Sequence, residues 1–184
     1  MGLLSDTPGR VGTLEAQRLL DVPVPGGFAV WLDENWRGEL QGLLERCALD
    51  VALIYGLPPD AGVASHILGD LPPGRSFEDK FVVGVFDALG RMSGVLVVVR
   101  DHPAVGHWTV ELLLVAPDQR GHGLGREMLA SLEAWVRSEG GLSIRLEARR
   151  HNPAGVAFAL RAGFERDDAP GGGSGVRYVR RLGG

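Results

Sequence analysis

Four residues near the middle of the chain have the types and spacing of an anion-binding turn. Arg120, Gly121, Gly123 and Gly125 place a fixed positive charge beside three positions that lack a Cβ atom. Such positions permit positive φ angles and let backbone N–H groups approach a ligand closely, which suits phosphate oxygens. Three glycines can equally make a tight turn that binds nothing, so the residues of the turn leave both interpretations open.

The segments on either side of the turn predict the strand and the helix that position it. Residues 108–115 are rich in apolar and β-branched residues, which is typical of a buried strand, and Pro117 ends that strand. Beyond the turn, apolar residues recur at helical spacing, at Leu124, Met128, Leu129, Leu132, Trp135 and Val136. The first-turn N–H groups and the positive dipole end of this helix would face the turn, which favours an anion there.

The spacing of the glycines differs from two common nucleotide-binding motifs. The third glycine comes two residues after the second, whereas the Rossmann fingerprint needs three, and no Gly-Lys-Ser/Thr of a P-loop follows. Residues 120–125 instead resemble the pyrophosphate loop of the GNAT superfamily of acyl-CoA-dependent N-acyltransferases, Gln/Arg-x-x-Gly-x-Gly/Ala. Residues 152–164 are similar to a second motif of that family, an Asn followed by a short helix and Gly-Phe, and Asn152 also suits a helix cap.

The resemblance implies an α/β fold of mixed α+β type. The expected sheet is central, mostly antiparallel but mixed, has about six or seven strands, is flanked by about four helices, and is splayed at the acyl-CoA site. The pattern of the chain agrees, because residues 81–86 and 92–99 predict an antiparallel hairpin with Gly90 at its turn. The alternation over residues 142–147 predicts a strand parallel to the one before the loop.

The remaining elements are less strongly patterned. We expect a strand at residues 28–32, a helix over 34–48 and a short helix at 61–68. Closing strands at 164–166 and 176–182 would be joined by a glycine-rich turn at 171–175. Residues 28–184 would form the acyltransferase domain, and residues 1–27 a peripheral N-terminal arm.

The resemblance also implies acetyl-CoA, or another acyl-CoA, as co-substrate, with no metal. The cofactor-binding residues would be Leu114, Val115, Arg120, Gly121, His122, Gly123, Leu124, Gly125 and Asn152. In this family the pantetheine arm enters the gap between the strands that precede and follow the loop, and bonds to the backbone of the first strand, where Val115 is the matching position. A backbone N–H near Leu114 or Val115 would then polarise the acyl carbonyl.

Glu111 is the candidate general base for such a reaction. An acceptor amine with a pKa of ~10 must lose a proton before it attacks, and a carboxylate at the centre of the sheet would serve. Glu111 interrupts an apolar run, so we expect burial to raise its pKa. The alternative is a solvent-facing or salt-bridged glutamate, and His107 and Glu147 are weaker candidates.

The chain departs from the family at the usual general acid. Many members carry a tyrosine four residues before the glycine of Gly-Phe, where it can protonate the departing thiolate, and Ala159 occupies that position here. Tyr55 and Tyr178 are the two tyrosines of the chain, and the sequence places neither. Solvent could also protonate a thiolate whose pKa is ~8.5.

Composition limits the remaining possibilities. A formal charge of −4 argues against a nucleic-acid partner. The single cysteine, Cys47, cannot form an intramolecular disulfide, and no apolar run approaches a membrane span, so we expect a cytoplasmic protein. The five histidines lack metal-ligand spacing. Lys80 is the only lysine among 19 basic residues, which we interpret as a bias of composition.

These observations favour an N-acetyltransferase that transfers an acetyl group from acetyl-CoA to a primary amine of a small molecule or a protein. Direct attack would take place in a ternary complex. The alternatives are a non-catalytic acyl-CoA-binding regulatory module and a purely structural α/β protein. A homodimer is compatible with the sequence, which identifies neither the acceptor nor the oligomeric state.

Overall fold

The computed structural model describes residues 27–168 and 175–183. Its strands are β1 Phe28–Trp31, β2 Lys80–Phe86, β3 Met92–Val99, β4 His107–Val115, β5 Ser143–Arg149, β6 Glu165–Asp167 and β7 Gly175–Arg181. Its α-helices are α1 Arg37–Arg46, α2 Ala48–Tyr55, α3 Val63–Gly69, α4 Leu124–Ser138 and α5 Pro153–Arg161. The strands form one sheet in the order β1-β2-β3-β4-β5-β7-β6, in which β4 and β5 are parallel and the other neighbours are antiparallel.

This architecture confirms the predicted mixed fold. The hairpin of β2 and β3 and the parallel pairing of β4 with β5 are present. The helix expected over residues 34–48 is instead a short 3-10 turn at Glu34–Trp36 followed by α1, and α2 follows after Cys47. The run at residues 51–55, to which the sequence assigned no element, belongs to α2, which ends where Gly56 adopts a φ of 86°.

Helices cover both faces of the sheet. The apolar faces of α1, α2 and α3 pack on one face, against β3 residues such as Val95 and Val97. The other face holds α4 and α5, and Trp108, Trp135 and Phe81 form an aromatic group with ring centroids 4.7–6.0 Å apart. Residues 1–26, which are nearly all of the expected N-terminal arm, and residues 171–174 of the expected glycine-rich turn lie outside the described residues.

The sheet opens in its middle. The parallel pairing of β4 and β5 runs from His107 with Ser143 to Val110 with Leu146, and both strands continue beyond that point unpaired with each other. On its other side β4 carries a bulge, because Val98 pairs with Val110 while the adjacent Val97 pairs with Leu112. Glu111 is therefore the extra residue of β4, and it lies where the two central strands separate.

Candidate active site

Two cavities meet at this opening of the sheet. The larger cavity, of about 540 Å³, lies on the face covered by α2 and α3. The smaller cavity, of about 260 Å³, lies between the separated ends of β4 and β5, and Phe158 of α5 contributes to its wall. Four residues line both cavities: Tyr55, Val110, Glu111 and Glu147. A molecule in one cavity would therefore reach a molecule in the other at these side chains.

Glu111 faces this junction and is not buried. Its side chain is 31% exposed, and its Oε2 atom lies 3.6 Å from Nζ of Lys80, whose side chain is only 4% exposed. The expectation of a buried carboxylate is wrong, because the side chain of Glu111 faces the larger cavity on the same side of β4 as Thr109. The salt-bridged alternative is what the structure shows, with a lysine as the partner.

Tyr55 reaches the junction from the last residue of α2. Although 43% of Tyr55 is exposed, partial burial of its side chain, followed by the negative charge of Glu111, raises the pKa of Tyr55 to about 12, so its hydroxyl stays protonated at neutral pH. Arg149, at the end of β5, donates from Nε to the carbonyl of Ile54 at 2.6 Å and from Nη2 to the carbonyl of Tyr55 at 3.1 Å. These bonds hold the end of α2 against β5.

The glycine turn has the backbone geometry that its sequence predicted. Gly121 and Gly123 have φ angles of 81° and 90°, a region that residues with a Cβ rarely adopt. The N–H groups of Arg126 and Glu127 both donate to the carbonyl of Gly123, so Leu124 and Gly125 come before the first backbone bonds of α4. Gly125 packs on Phe158: a Cβ at Gly125 would come within 3.3 Å of that ring. The helix that begins at the turn is therefore in contact with the wall of the smaller cavity.

The guanidinium of Arg120 is held by the protein itself. Its Nη2 atom lies 2.6 Å from Oδ2 of Asp50, on α2, and its Nε donates to the carbonyl of Val115 at 3.0 Å. Much of its charge is thus already balanced by a carboxylate. His122, the remaining residue of the turn, is exposed to solvent.

The other predicted cofactor-binding residues, Leu114, Val115 and Asn152, differ in whether their side chains line a cavity. Leu114 is buried against the helices α1 to α3, and Val115 packs toward α4, so their side chains do not line either cavity. Asn152 lines the smaller cavity, and its Oδ1 atom accepts a bond of 3.0 Å from the N–H of Gly155. The predicted capping role of Asn152 is therefore present, and a binding role for these three residues stays a prediction.

Comparison with known proteins agrees with this geometry. Residues 62–164, more than half of the chain, match the model of the Acetyltransferase (GNAT) family. The chain belongs to the GNAT acetyltransferase family. It is accordingly an acyltransferase, and the match argues against a purely structural protein.

Solved structures share the fold at low sequence identity. An acetyltransferase from Thermus thermophilus superposes with a TM-score of 0.71 at 22% identity, covering 88% of this chain and 99% of that one. The PaiA N-acetyltransferase from Thermoplasma acidophilum, solved in complex with coenzyme A, gives a TM-score of 0.64 at 18% identity over 84% of this chain and 98% of that one. A search of curated proteins found no match.

The GNAT chain described here lacks the family's usual tyrosine, and the structure shows what replaces it in the packing. Ala159 is fully buried on α5, within the core that α4 and α5 form with the sheet. Tyr178 is also buried, in β7, and lines neither cavity. Of the two tyrosines, Tyr55 is the one that lines the junction.

Sequence reasoning missed several residues of this site. Lys80, Tyr55 and Arg149 come from three elements distant in sequence, and no motif marks them. The isolated lysine in an arginine-rich chain, which we interpreted as a bias of composition, was the one signal that could have found Lys80. In the parts of the chain that the structure describes, no group of three or more His, Cys, Asp or Glu side chains is arranged to hold a metal, and no helix is long and apolar enough to span a membrane.

Proposed function

We propose that this GNAT protein is an N-acetyltransferase that transfers the acetyl group of acetyl-CoA to a primary amine of a small molecule, by direct attack in a ternary complex. The observation that supports this is the meeting of two cavities at Tyr55, Val110, Glu111 and Glu147. The smaller cavity, in the splayed sheet, suits the pantetheine arm and its thioester. The larger cavity suits the acceptor, and its volume of about 540 Å³ is that of a small-molecule site.

The residues around the cleft fit acyl-CoA. Apolar side chains of Leu113, Leu146 and Phe158 line the smaller cavity, and the edges of β4 and β5 that face it are released from each other beyond Val110 and Leu146. Their free backbone groups can bond the amides of a pantetheine arm. At the turn, Gly121 to Gly125 direct N–H groups and the positive end of α4 at a pyrophosphate. We assign these contacts to residues 120–125, with Leu114, Val115 and Asn152 beside them.

Acetyl-CoA supplies an acetyl group activated as a thioester. A backbone N–H near Leu114 or Val115 would donate to the acyl oxygen as negative charge develops there. The carboxylate of Glu111 would take the proton from the acceptor ammonium at the junction of the cavities. Its partial exposure keeps the carboxylate accessible to an amine that enters the larger cavity.

The hydroxyl of Tyr55 is our candidate for the hydrogen-bond donor to the departing thiolate. Burial raises its pKa to about 12, so the hydroxyl is protonated at neutral pH and can donate a hydrogen bond to the sulfur as negative charge develops there. Complete proton transfer to a thiolate with a pKa of ~8.5 is uphill, so solvent supplies the final proton. The position of Tyr55 on both cavities brings its hydroxyl to the reaction centre. In the Tyr55→Phe variant we expect kcat to fall by about 10- to 100-fold with little change in acetyl-CoA affinity.

Two measurements on the same protein test the proposal. Acetyl-CoA should raise the melting temperature, by an amount equivalent to about 2.7 kcal/mol at 100 times its Kd. Release of CoA thiol should depend on added amine when a panel of small primary amines is screened. Stabilisation by acetyl-CoA without turnover of any amine would contradict the proposal and support a non-catalytic acyl-CoA-binding module.

A further inference from the structure

Lys80 is the only lysine of the chain, since the other 18 of its 19 basic residues are arginines. Composition alone would place a lone lysine on the surface, where most lysines lie. Lys80 is instead almost completely buried, with 4% of its side chain exposed, at the first position of β2. The one ammonium group carried by a side chain therefore lies inside the protein.

The position of this ammonium relative to Glu111 is the position that an acceptor amine requires. Lys80 lines the larger cavity, and its Nζ atom is 3.6 Å from Oε2 of Glu111, the carboxylate that faces both cavities. Nζ also donates to the carbonyl of Asp70, which fixes it on that side of the cavity. A primary amine thus lies one ion-pair distance from the proposed general base.

The choice of lysine also has a chemical consequence that arginine would not have. An arginine could pair with Glu111 and would do so with two donors, but it cannot lose a proton in a protein and is no nucleophile. A lysine can become a neutral amine, and burial lowers the pKa of Lys80 below its ordinary value of 10.5, although Glu111 acts in the opposite direction. A purely structural ion pair does not need this property.

We propose that Nζ of Lys80 is an internal acetyl acceptor, modified by the acetyl-CoA bound to the same chain when no external amine occupies the larger cavity. The inference rests on the proposed function. The ammonium of Lys80 first loses one proton to solvent by way of Glu111. The neutral Nζ then attacks the thioester carbon, a C–N bond forms and the C–S bond breaks, and the sulfur leaves with the electron pair. The surplus proton of the nitrogen passes to Glu111 and from there through solvent to the sulfur, so the products are an acetylated lysine, the CoA thiol and one proton released to solvent.

The modification would act on the protein's own turnover. Acetylation removes the positive charge of Lys80, ends its ion pair with Glu111 and adds an acetyl group to the cavity that an external amine must enter. We expect the acetylated protein to turn over small amines more slowly than the unmodified one. The extent of self-acetylation would then increase when the acceptor amine is scarce.

The unique lysine makes the test direct. The purified full-length protein is incubated with acetyl-CoA, and the acetylated position is mapped by mass spectrometry after trypsin digestion. Trypsin cuts after Arg75, Lys80 and Arg91, so acetylation at Lys80 yields one uncut peptide over residues 76–91. Lys80→Arg, which keeps a positive charge, reveals any label on the chain's terminal amine. Heat-unfolded protein measures uncatalysed acetylation.

We expect labelling at Lys80 that is first order in protein, slows as external amine is added, and falls by about 100-fold in Glu111→Gln. Turnover of external amines without labelling at Lys80, or equal labelling of native and unfolded protein, would overturn the inference and leave the proposed function standing. If the proposed function is wrong, the result is different: acetyl-CoA neither stabilises the protein nor is consumed with any amine. Binding of acetyl-CoA with neither label nor turnover would overturn both.

Discussion

The bulge in β4 changes which face the residues after Glu111 occupy. Regular alternation from Trp108 and Val110 already places Glu111 on the face of Thr109, which lines the larger cavity. Because Glu111 is one extra residue, Leu112 and Leu114 pack under α1 to α3 instead of continuing on the face of α4. The proposed base therefore lies at the point where β4 changes its packing and separates from β5.

Glu111→Gln separates catalysis from binding. The variant keeps the shape of the side chain but removes the group that takes the proton, so kcat should fall by about 100-fold or more while acetyl-CoA still raises the melting temperature. Glu147→Gln is the matched control, because Glu147 also lines both cavities. A larger loss of kcat in Glu147→Gln than in Glu111→Gln would move the assignment to Glu147.

Cys47 lies between α1 and α2 and should be inert in the folded protein. It is 1% exposed, and burial raises the pKa of its thiol above the ordinary value of 9.0, although Arg120 acts in the opposite direction. A thiol with a raised pKa keeps its proton at neutral pH, and the reactive thiolate forms only at a higher pH than in an ordinary cysteine. We expect a thiol reagent to modify Cys47 much more slowly in native than in urea-unfolded protein, with the difference persisting to mildly alkaline pH. Equal rates in both states would contradict this.

At the scale of elements, the turn and α4 act together. Gly121 and Gly123 need positive φ angles, whereas no side chain or backbone atom crowds Gly121, so conformation and not space determines the choice of glycine there. Gly125 has the opposite constraint, since it lies inside α4 and needs room beside Phe158. The three glycines of one motif therefore meet two different physical requirements.

Gly123→Ala should weaken acetyl-CoA binding without unfolding the protein. An alanine at a φ of 90° costs about 1–2 kcal/mol of backbone strain and shifts the N–H groups that precede α4. Gly90→Ala is the matched control, because Gly90 has a φ of 75°, lies in the turn between β2 and β3, and has open space where a Cβ would lie. Both variants should lose similar stability in urea, but only Gly123→Ala should raise the Kd of acetyl-CoA. A similar rise in Gly90→Ala would assign the effect to general destabilisation.

At the scale of the whole molecule, the central opening leaves two groups of strands joined by four residue pairs between β4 and β5. Helix α2 crosses from one side to the other, and Arg149 of β5 bonds the carbonyls at its end. Asp50, on the same helix, pairs with Arg120 of the turn. The helix thus connects the proposed acceptor side with both the cleft and the pyrophosphate turn.

Arg149→Ala should therefore lower the free energy of unfolding by more than the removal of an exposed arginine does. Loss of two charge-assisted bonds to α2 should lower the free energy of unfolding by about 2 kcal/mol and, by loosening Tyr55, should also lower kcat. Arg137→Ala removes an exposed helical pair with Glu133 and should cost no more than about 0.5 kcal/mol. Urea unfolding of the two variants measures the difference, and equal losses would show that Arg149 does not tie α2 to β5.

The sequence determined the elements whose signal is local. Apolar periodicity specified β4 and α4, proline and glycine marked their ends, and the two motifs identified the family, because each depends on residues close together in the chain. The same local rules failed at residues 34–55, because the helix is interrupted at Cys47 and no proline or glycine there predicts the interruption.

Only the tertiary structure decided what surrounds the reaction centre. Lys80, Glu111 and Tyr55 belong to β2, β4 and α2, and their proximity depends on strand order, on the register of β3 with β4 and on one bulge. A bulge in an apolar strand has no sequence pattern of its own. An ion pair between strands that are distant in sequence has no local pattern either. The sequence could therefore name Glu111 as a base, but its exposure and its lysine partner follow from how the strands pair.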